Sequence, residues 1–298
     1  MQSLILKPIP PYDFDKLLQM LRRFPTTVLD HAVGDTYRRV LRVRDQLALV
    51  QVATNVTDSS LLRASVLTQT GQIDSAALTA ELGKVLALVD DRRTFSEYAR
   101  TNAPLHTAIE PVIALPMLRS QTAYEALVSA IIEQQISWRG ALKAQRWLLE
   151  WGGHSLEHNG ERWYAHPIPD QIAGATLADL KPLKITDKRI RLLIEVSQLV
   201  AEGKLQLDDL PATDAYPILT AIKGIGHWTA AVTLSRTLRS TNYVGTNDVA
   251  LQAAVNWFFF GREGRADVKT LVELFAGLGE HAGRTADLVL SRWVIERY

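Results

Sequence analysis

The sequence contains no cysteine among its 298 residues. This absence excludes disulfides, thiolate nucleophiles, zinc–thiolate sites and iron–sulfur clusters, since each of them requires a cysteine sulfur. No apolar run approaches the roughly 18 residues needed to cross a bilayer. The apolar patch near the N-terminus is too short for a secretion signal. We therefore expect a soluble, cytoplasmic protein without a membrane partner.

An excess of charge of either sign is also missing. The chain has 33 basic and 32 acidic side chains, a formal net charge of +1, so its overall charge indicates no polyanionic partner. A local basic patch could still bind a polyanion, and the best candidate is the cluster KITDKRIR, Lys184 to Arg191. We interpret this cluster as the solvated start of a helix.

The first third of the chain mixes helix and strand patterns. An amphipathic helix is predicted from Asp13 to Arg23 and a second from Ser75 to Leu88. Between them, β-rich runs at Tyr37–Val43 and Gln46–Asn55 are separated by Arg-Asp, which suggests a hairpin, and Leu61–Thr68 could pair as a further strand. These patterns predict an α+β domain over residues 1–102, with an antiparallel sheet and two covering helices.

From residue 103 onward the strand patterns nearly stop. Eight or more segments show helical periodicity and are separated by Gly, Pro, Asn or Asp. We therefore predict a second, all-α domain over residues 103–298, in which two helical subdomains flank a cleft.

Two glycines interrupt the helical pattern in the sequence IKGIGHWTAAVTL, Ile222 to Leu234. Helical periodicity on both sides predicts a helix, a tight turn through Gly224 and Gly226, and a second helix. One interpretation is an ordinary helical hairpin with a glycine cap. The other is a surface without side chains at a helix N-terminus, where backbone N–H groups could meet a phosphate.

An aspartate follows the hairpin after a short loop, Ser240 to Asp248. Asp248 directly precedes the apolar run VALQAAVNWFFF. An aspartate in this position is usually a helix N-cap. Taken alone, Asp248 is therefore far more typical of a cap than of a catalyst.

The combination of hairpin, loop and aspartate resembles the helix–hairpin–helix DNA glycosylase superfamily. The segment from Tyr124 to Ser137 is similar to that family's F-E-x-L-v-x-a-I-l-x-Q-Q-x-S motif, and His166–Gly174 is similar to its F-P-T-P-x-x-L-A element. Pro10–Leu21 resembles the opening of the DNA-3-methyladenine glycosylase II subfamily, whose members carry an extra α+β domain. The resemblance covers nearly the whole chain and is most specific between Ile222 and Asp248.

The resemblance implies a role for individual residues of the reaction site. Asp248 would be the catalytic carboxylate, which stabilises an oxocarbenium-like sugar and orients the attacking water. Trp228 and Tyr124 would line the substrate pocket, although Trp228 could also be an ordinary core residue. Strand-cleaving members carry a lysine nucleophile at the position of Trp228, so the resemblance implies a monofunctional enzyme.

The resemblance also implies a DNA-binding surface. Gln135 would fill the space left by the extruded nucleotide, the alternative being a plain polar loop residue. Gly224, Ile225, Gly226 and Thr229 would contact the DNA backbone. No cofactor is implied, apart from a monovalent cation that the backbone carbonyls of Thr220, Ile222 and Ile225 could bind.

The sequence departs from the family pattern around the pocket. Val232 and Val249 stand where the subfamily often has aromatic residues, and the C-terminal motif keeps Arg284 and Ala286 but no tryptophan. We expect a monomer that excises alkylated purines from damaged double-stranded DNA. The alternatives are a glycosylase for oxidised or deaminated bases and a non-catalytic DNA-binding module; Asp248 argues against the module. The lack of cysteine also excludes a fused methyl-acceptor domain.

Overall fold

The computed structural model describes residues 3–23, 28–237 and 242–297 of the chain. Within these ranges no helix is both long and apolar enough to cross a membrane. An antiparallel sheet with covering helices is followed by a long helical region, and the predicted α+β fold class is confirmed.

The N-terminal sheet has five antiparallel strands in the order β1-β5-β4-β3-β2. They are β1 (Ser3–Leu6), β2 (His31–Val33), β3 (Thr36–Val43), β4 (Gln46–Thr54) and β5 (Leu62–Gln69). The predicted hairpin joins β3 to β4, with Val43 opposite Gln46. The sequence did not reveal the edge strands β1 and β2, because four and three residues carry too little alternation to be recognised.

Thirteen α-helices are described. The first four are α1 (Phe14–Arg23), α2 (Ser75–Val85), α3 (Arg93–Thr101) and α4 (Ala103–Ile109). The remaining nine are α5 (Ala123–Glu133), α6 (Trp138–Gly152), α7 (Pro169–Ala173), α8 (Asp187–Ala201), α9 (Ala212–Ala221), α10 (His227–Ser235), α11 (Val249–Phe260), α12 (Val268–Leu278) and α13 (Ala282–Arg297). Polar caps fix several starts: the side chains of Thr122, Ser137 and Thr186 each accept a first-turn amide.

A short hairpin within the helical region corrects the all-α prediction. Strands β6 (Ser155–His158) and β7 (Glu161–Tyr164) are joined by Asn159 and Gly160, which have φ of 52° and 78°. Positive φ at both turn residues is the geometry that favours an Asn-Gly pair. Leu156 and Trp163 of this hairpin pack on the face of the N-terminal sheet opposite its main core.

Two large hydrophobic cores organise the remaining packing. The sheet core combines residues of the N-terminal sheet and α1–α4 with residues of α11–α13. The hairpin core is formed mainly by α5, α6 and α8–α10. The sheet core crosses position 102, where the sequence predicts a domain boundary, because the last three helices return to pack beside the N-terminal part.

A buried ion network connects the sheet to the helical region. Arg39 on β3 is 1% exposed and donates to Asp30 at 3.0 Å and to both carboxylate oxygens of Glu125 on α5, at 2.7 and 2.8 Å. Buried charges persist only when they are paired in this way. The network therefore fixes the start of α5 against the sheet, and with it one wall of the cleft described next.

Candidate active site

A cleft of about 1910 Å³ lies between the two cores. Met20, Leu290 and Trp293 line it from the sheet core, and Ile136 and Leu192 from the hairpin core. Among the described residues, nine lysines and arginines line the cleft against five acidic side chains. This excess of positive charge contrasts with the net charge of +1 for the whole chain.

Part of this positive charge comes from the basic cluster that we interpreted as a solvated helix start. Lys188, Arg189 and Arg191 of that cluster line the cleft. The interpretation was incomplete, since the first turns of α8 face the cleft. A basic cleft in a nearly neutral chain is the charge distribution expected of a local site that binds a polyanion.

The glycine hairpin between α9 and α10 lies in the wall of this cleft. Gly224 has φ of 104°, and a Cβ there would lie 3.1 Å from a methyl group of Leu192. Gly226 has φ of −93° and ψ of −179°, and a Cβ there would meet nothing within 4 Å. Gly224 is therefore required by the fold itself, whereas Gly226 leaves open space beside the backbone.

Several backbone amides at this hairpin have no acceptor within the described residues. Helix α10 begins after Gly226 without a side-chain cap, and the amides of Gly224 and Gly226 donate to no described group. Ile225 differs, because its amide donates to the Ile222 carbonyl at 3.0 Å and its side chain is buried in the hairpin core. Uncapped amides at a helix start are suited to bind an anion.

Asp248 caps α11 and also faces the cleft. Its Oδ1 accepts the amides of Ala250 and Leu251 at 2.8 and 3.0 Å, while its Oδ2 accepts the indole N–H of Trp228 at 3.1 Å. The half-buried carboxylate lines the cleft together with Trp228. Asp248 can therefore cap the helix through Oδ1 and face the cleft through Oδ2 at the same time.

A second set of contacts holds the loop that leads to Asp248. His227 Nε2 donates to the Val244 carbonyl at 2.6 Å, and its Nδ1 forms a hydrogen bond with the Tyr216 hydroxyl at 2.8 Å. Tyr216 in turn stacks on Tyr243 with ring centroids 3.8 Å apart. A Cβ on Gly245 would lie 2.9 Å from the Trp228 ring. The loop is thus packed closely onto the start of α10.

Comparisons with known proteins agree with this architecture. No family model matches the chain. A DNA-3-methyladenine glycosylase of Bacillus subtilis (strain 168) is 31% identical over 167 residues, 55% of this chain and 55% of the relative. The protein YfjP of the same organism, provisionally named a DNA-3-methyladenine glycosylase, is 24% identical over 256 residues, 84% of this chain and 85% of the relative.

Two solved structures share the fold over nearly the whole chain. A 3-methyladenine DNA-glycosylase from Archaeoglobus fulgidus has a TM-score of 0.79 at 21% identity and covers 100% of this chain and 98% of its own. An 8-oxoguanine glycosylase/lyase from Clostridium acetobutylicum, in complex with double-stranded DNA, has a TM-score of 0.76 at 16% identity, with coverages of 97% and 94%. The chain has the helix–hairpin–helix DNA glycosylase fold.

The resemblance of the sequence to this glycosylase fold is thereby confirmed. The alignment with the first B. subtilis relative spans about half of that protein's length.

In the glycosylase fold of this chain, Gln135 lies at the tip between α5 and α6. It is exposed, lines the cleft and has φ of 51°. Its neighbour Gln134 donates to the Gly224 carbonyl at 3.1 Å and to the Thr229 hydroxyl at 2.9 Å, and the Arg189 guanidinium donates to the Gln134 carbonyl. The sequence analysis missed Gln134 and named Arg189 only as part of the basic cluster, because their contacts join segments far apart in the chain.

One predicted site residue is corrected and another gains a structural role. Thr229 lines the cleft as predicted for a DNA-contacting residue, but it is 3% exposed and its hydroxyl accepts from Gln134. Tyr124 is 6% exposed and does not line the cleft. Its hydroxyl donates to Ser197 at 2.7 Å, and burial raises the pKa of Tyr124. Tyr124 belongs to the core because its face of α5 packs on α8, a tertiary fact that periodicity does not reveal.

Among the residues that the structure describes, the aromatic side chains lining the cleft are three tryptophans. Trp138, Trp228 and Trp293 line it, whereas Phe14 and Tyr243 do not. Trp293 was not anticipated, since a tryptophan in a C-terminal helix is most often a core residue. Val232 and Val249 do line the cleft, so the reduced aromatic content expected there holds for these two positions.

The predicted cation site uses backbone oxygens only. Within the described residues, no group of three His, Asp or Glu side chains could hold a metal ion. The Thr220 carbonyl belongs to the last turn of α9, where carbonyls lack helical partners. The Ile222 carbonyl accepts one amide, from Ile225, and keeps a second lone pair. Neutral oxygens of this kind suit a hard cation.

Proposed function

We propose that this chain is a monofunctional DNA glycosylase that releases alkylated purines from double-stranded DNA by hydrolysis of the N-glycosidic bond. The observation that carries the proposal is the contact between Trp228 and Asp248 in a basic cleft. This contact places an aromatic ring that can stack on the extruded base next to a carboxylate that can stabilise positive charge on the sugar. The reaction requires both groups.

Binding begins with the DNA backbone. The basic side chains of the cleft attract the duplex, and the amides of Gly224 and Gly226 hold a phosphate without reading the sequence. Gln135 enters the space left by the extruded nucleotide, since its left-handed backbone at an exposed tip projects it into the cleft. A monovalent cation on the carbonyls of Thr220, Ile222 and Ile225 would add positive charge near that phosphate. We propose that one copy of the chain suffices.

The chemical step then depends on charge. An N-alkylated purine is cationic, so stacking on Trp228 gains a cation–π attraction of about 0.5–2 kcal/mol. Such a base leaves without a general acid. The Asp248 carboxylate stabilises the positive charge that develops on the sugar and orients the water that attacks C1′. An abasic site on an intact strand is the product, because no lysine stands at the position of Trp228.

A second candidate substrate class is supported by the valines of the cleft. Val232 and Val249 replace aromatic surface that would favour cationic bases, and the C. acetobutylicum structure with the same fold is an 8-oxoguanine glycosylase/lyase. Under this alternative the protein would act on oxidised or deaminated bases.

Release of free bases from defined duplexes distinguishes these candidates. We expect chromatography to detect 3-methyladenine and 7-methylguanine released from methylated DNA, with slower or no release from DNA containing 8-oxoguanine. Exclusive release of 8-oxoguanine would favour the alternative. No release from any duplex, despite DNA binding, would contradict the enzymatic proposal altogether.

A further inference from the structure

A second carboxylate lines the same cleft as Trp228 and Asp248. Asp287 belongs to α13, which presents Asp287, Leu290, Ser291 and Val294 to the cleft at helical spacing. Helix α10 packs against α13 and contributes Trp228 and Val232 to the cleft, and Arg236 follows directly after the helix. Asp287 therefore faces the cavity from the sheet-core wall, whereas Asp248 faces it from the start of α11.

Asp287 is an acid without a fixed partner. Within the described residues, no hydrogen bond or ion pair reaches its carboxylate. The charged groups facing it are Arg119 before α5, Arg236 after α10 and Arg284 on α13 itself. Two of these arginines are paired with other acids: Arg236 with Glu133 at 2.7 and 2.9 Å, and Arg119 with Asp90 at 3.1 Å.

The surroundings favour the protonated form of this carboxyl group. Burial raises the pKa of Asp287 to about 6, and the three arginines offset this only in part. With such a pKa, about half of the Asp287 carboxyl groups are protonated at pH 6 and about a tenth at pH 7. The protonated form can donate a proton, whereas the oxygens of Asp248 accept three N–H groups.

We propose that Asp287 donates a proton to the extruded base when that base is a damaged purine without a positive charge. This inference rests on the proposed function and assigns it a further catalytic residue. A neutral purine is a poor leaving group, because its departure leaves an anion unless a ring nitrogen is protonated. A protonated acid in the wall of the cleft can supply that proton, which a cationic purine does not need.

The Asp287 O–H transfers its proton to a ring nitrogen of the purine, and the C1′–N9 bond breaks with its electron pair passing to the base, which leaves neutral. Water attacks C1′ and loses its proton to Asp248. Proton exchange with solvent then restores the acid form of Asp287 and the carboxylate form of Asp248.

Two single-lesion duplexes test this proposal with the full-length protein. One contains 7-methylguanine, which is cationic, and the other contains hypoxanthine, which is neutral. The parent protein is expected to release both, and the hypoxanthine rate is expected to fall as the pH rises from 6 to 8, because the acid form of Asp287 is lost. In Asp287→Asn, the ratio of hypoxanthine release to 7-methylguanine release should fall by about a hundredfold, and this pH dependence should disappear.

A matched control removes a carboxylate outside the cleft. Glu280→Gln lies next to α13, is exposed and does not line the cleft, so the ratio should match that of the parent. The parent's pH profile keeps the test decisive even where Asp287→Asn folds poorly. Release of neither base contradicts the proposed function itself. Release of 7-methylguanine alone by the parent, or an unchanged ratio in Asp287→Asn, overturns only the role of Asp287.

Discussion

At the scale of single residues, the Asp248 carboxylate is held from two directions before any substrate binds. The start of α11 holds Oδ1 through two amides, and the Trp228 indole holds Oδ2. Preorganised groups of this kind need no reorientation when charge develops in the transition state. The same contacts set the angle between the carboxylate and the aromatic surface.

Replacement of Asp248 by Asn tests this arrangement. The amide oxygen can still cap α11, but the charge is lost and the Asn N–H₂ group faces the Trp228 N–H, a donor against a donor. We expect base release to fall by about 10²–10³-fold, DNA binding to change little and the free energy of unfolding to drop by about 1 kcal/mol. Single-turnover release and urea unfolding measure the two effects; activity within a few-fold of the parent would show that Asp248 is not catalytic.

Trp228 stands at the position where the resemblance implies a lysine nucleophile in strand-cleaving glycosylases. A lysine that attacks the sugar forms a Schiff base, which borohydride converts to a covalent protein–DNA adduct. Lys223 and Lys188 line the cleft but are exposed at its wall, where we expect them to contact phosphates. We expect no adduct on lesion-bearing DNA and strand breaks only after alkali. A trapped adduct would refute the monofunctional assignment.

At the scale of elements, the hairpin between α9 and α10 is built from two glycines with different constraints. Gly224 adopts positive φ and lies against Leu192, so the fold requires it. Gly226 has ordinary extended geometry and open surroundings. Only a molecule outside the chain would be affected by a side chain at Gly226.

This difference makes the two glycines a matched pair. Gly226→Val should change the free energy of unfolding by no more than about 1 kcal/mol, yet weaken binding to all DNA sequences by about tenfold, since a phosphate contact is sequence-independent. Gly224→Val should destabilise the fold by about 2 kcal/mol or more. Fluorescence anisotropy and urea unfolding report both quantities. A loss of binding confined to one sequence context in Gly226→Val would argue against the phosphate clamp.

At the scale of the whole molecule, the cleft exists because two cores are fixed relative to one another. The buried Arg39 is one of the links, since it pairs with Asp30 beside the sheet and with Glu125 on α5. Helix α5 ends beside Gln134 and Gln135, so this link also positions the tip that enters the cleft.

Removal of Arg39 should therefore affect the entire protein. Arg39→Leu leaves two buried carboxylates without their partner, and we expect a loss of about 3–5 kcal/mol in the free energy of unfolding. The control is Lys269→Leu on α12, whose pair with Glu273 is exposed and worth about 0.3–0.5 kcal/mol. Urea unfolding compares the two variants. Equal effects would mean that Arg39 contributes no more than a surface ion pair.

The sequence by itself determined the features that depend on neighbouring residues. The β3–β4 hairpin, the glycine turn at Gly224 and the capping position of Asp248 were all predicted, because turn and cap preferences act over a few residues. The hairpin through Asn159 and Gly160 was missed, although its Asn-Gly pair is the local pattern that predicts such a turn.

Only the tertiary structure decided which helix faces line the cleft. Periodicity shows that Tyr124 and Trp293 lie on apolar faces, but the packing of α5 on α8 buries the first, and the position of α13 leaves the second in the cleft. The same packing directs Lys188 toward the cleft and leaves Asp287 without a partner among arginines from three segments. Such environments arise from contacts between residues distant in the chain, and for that reason no local pattern in the sequence contains them.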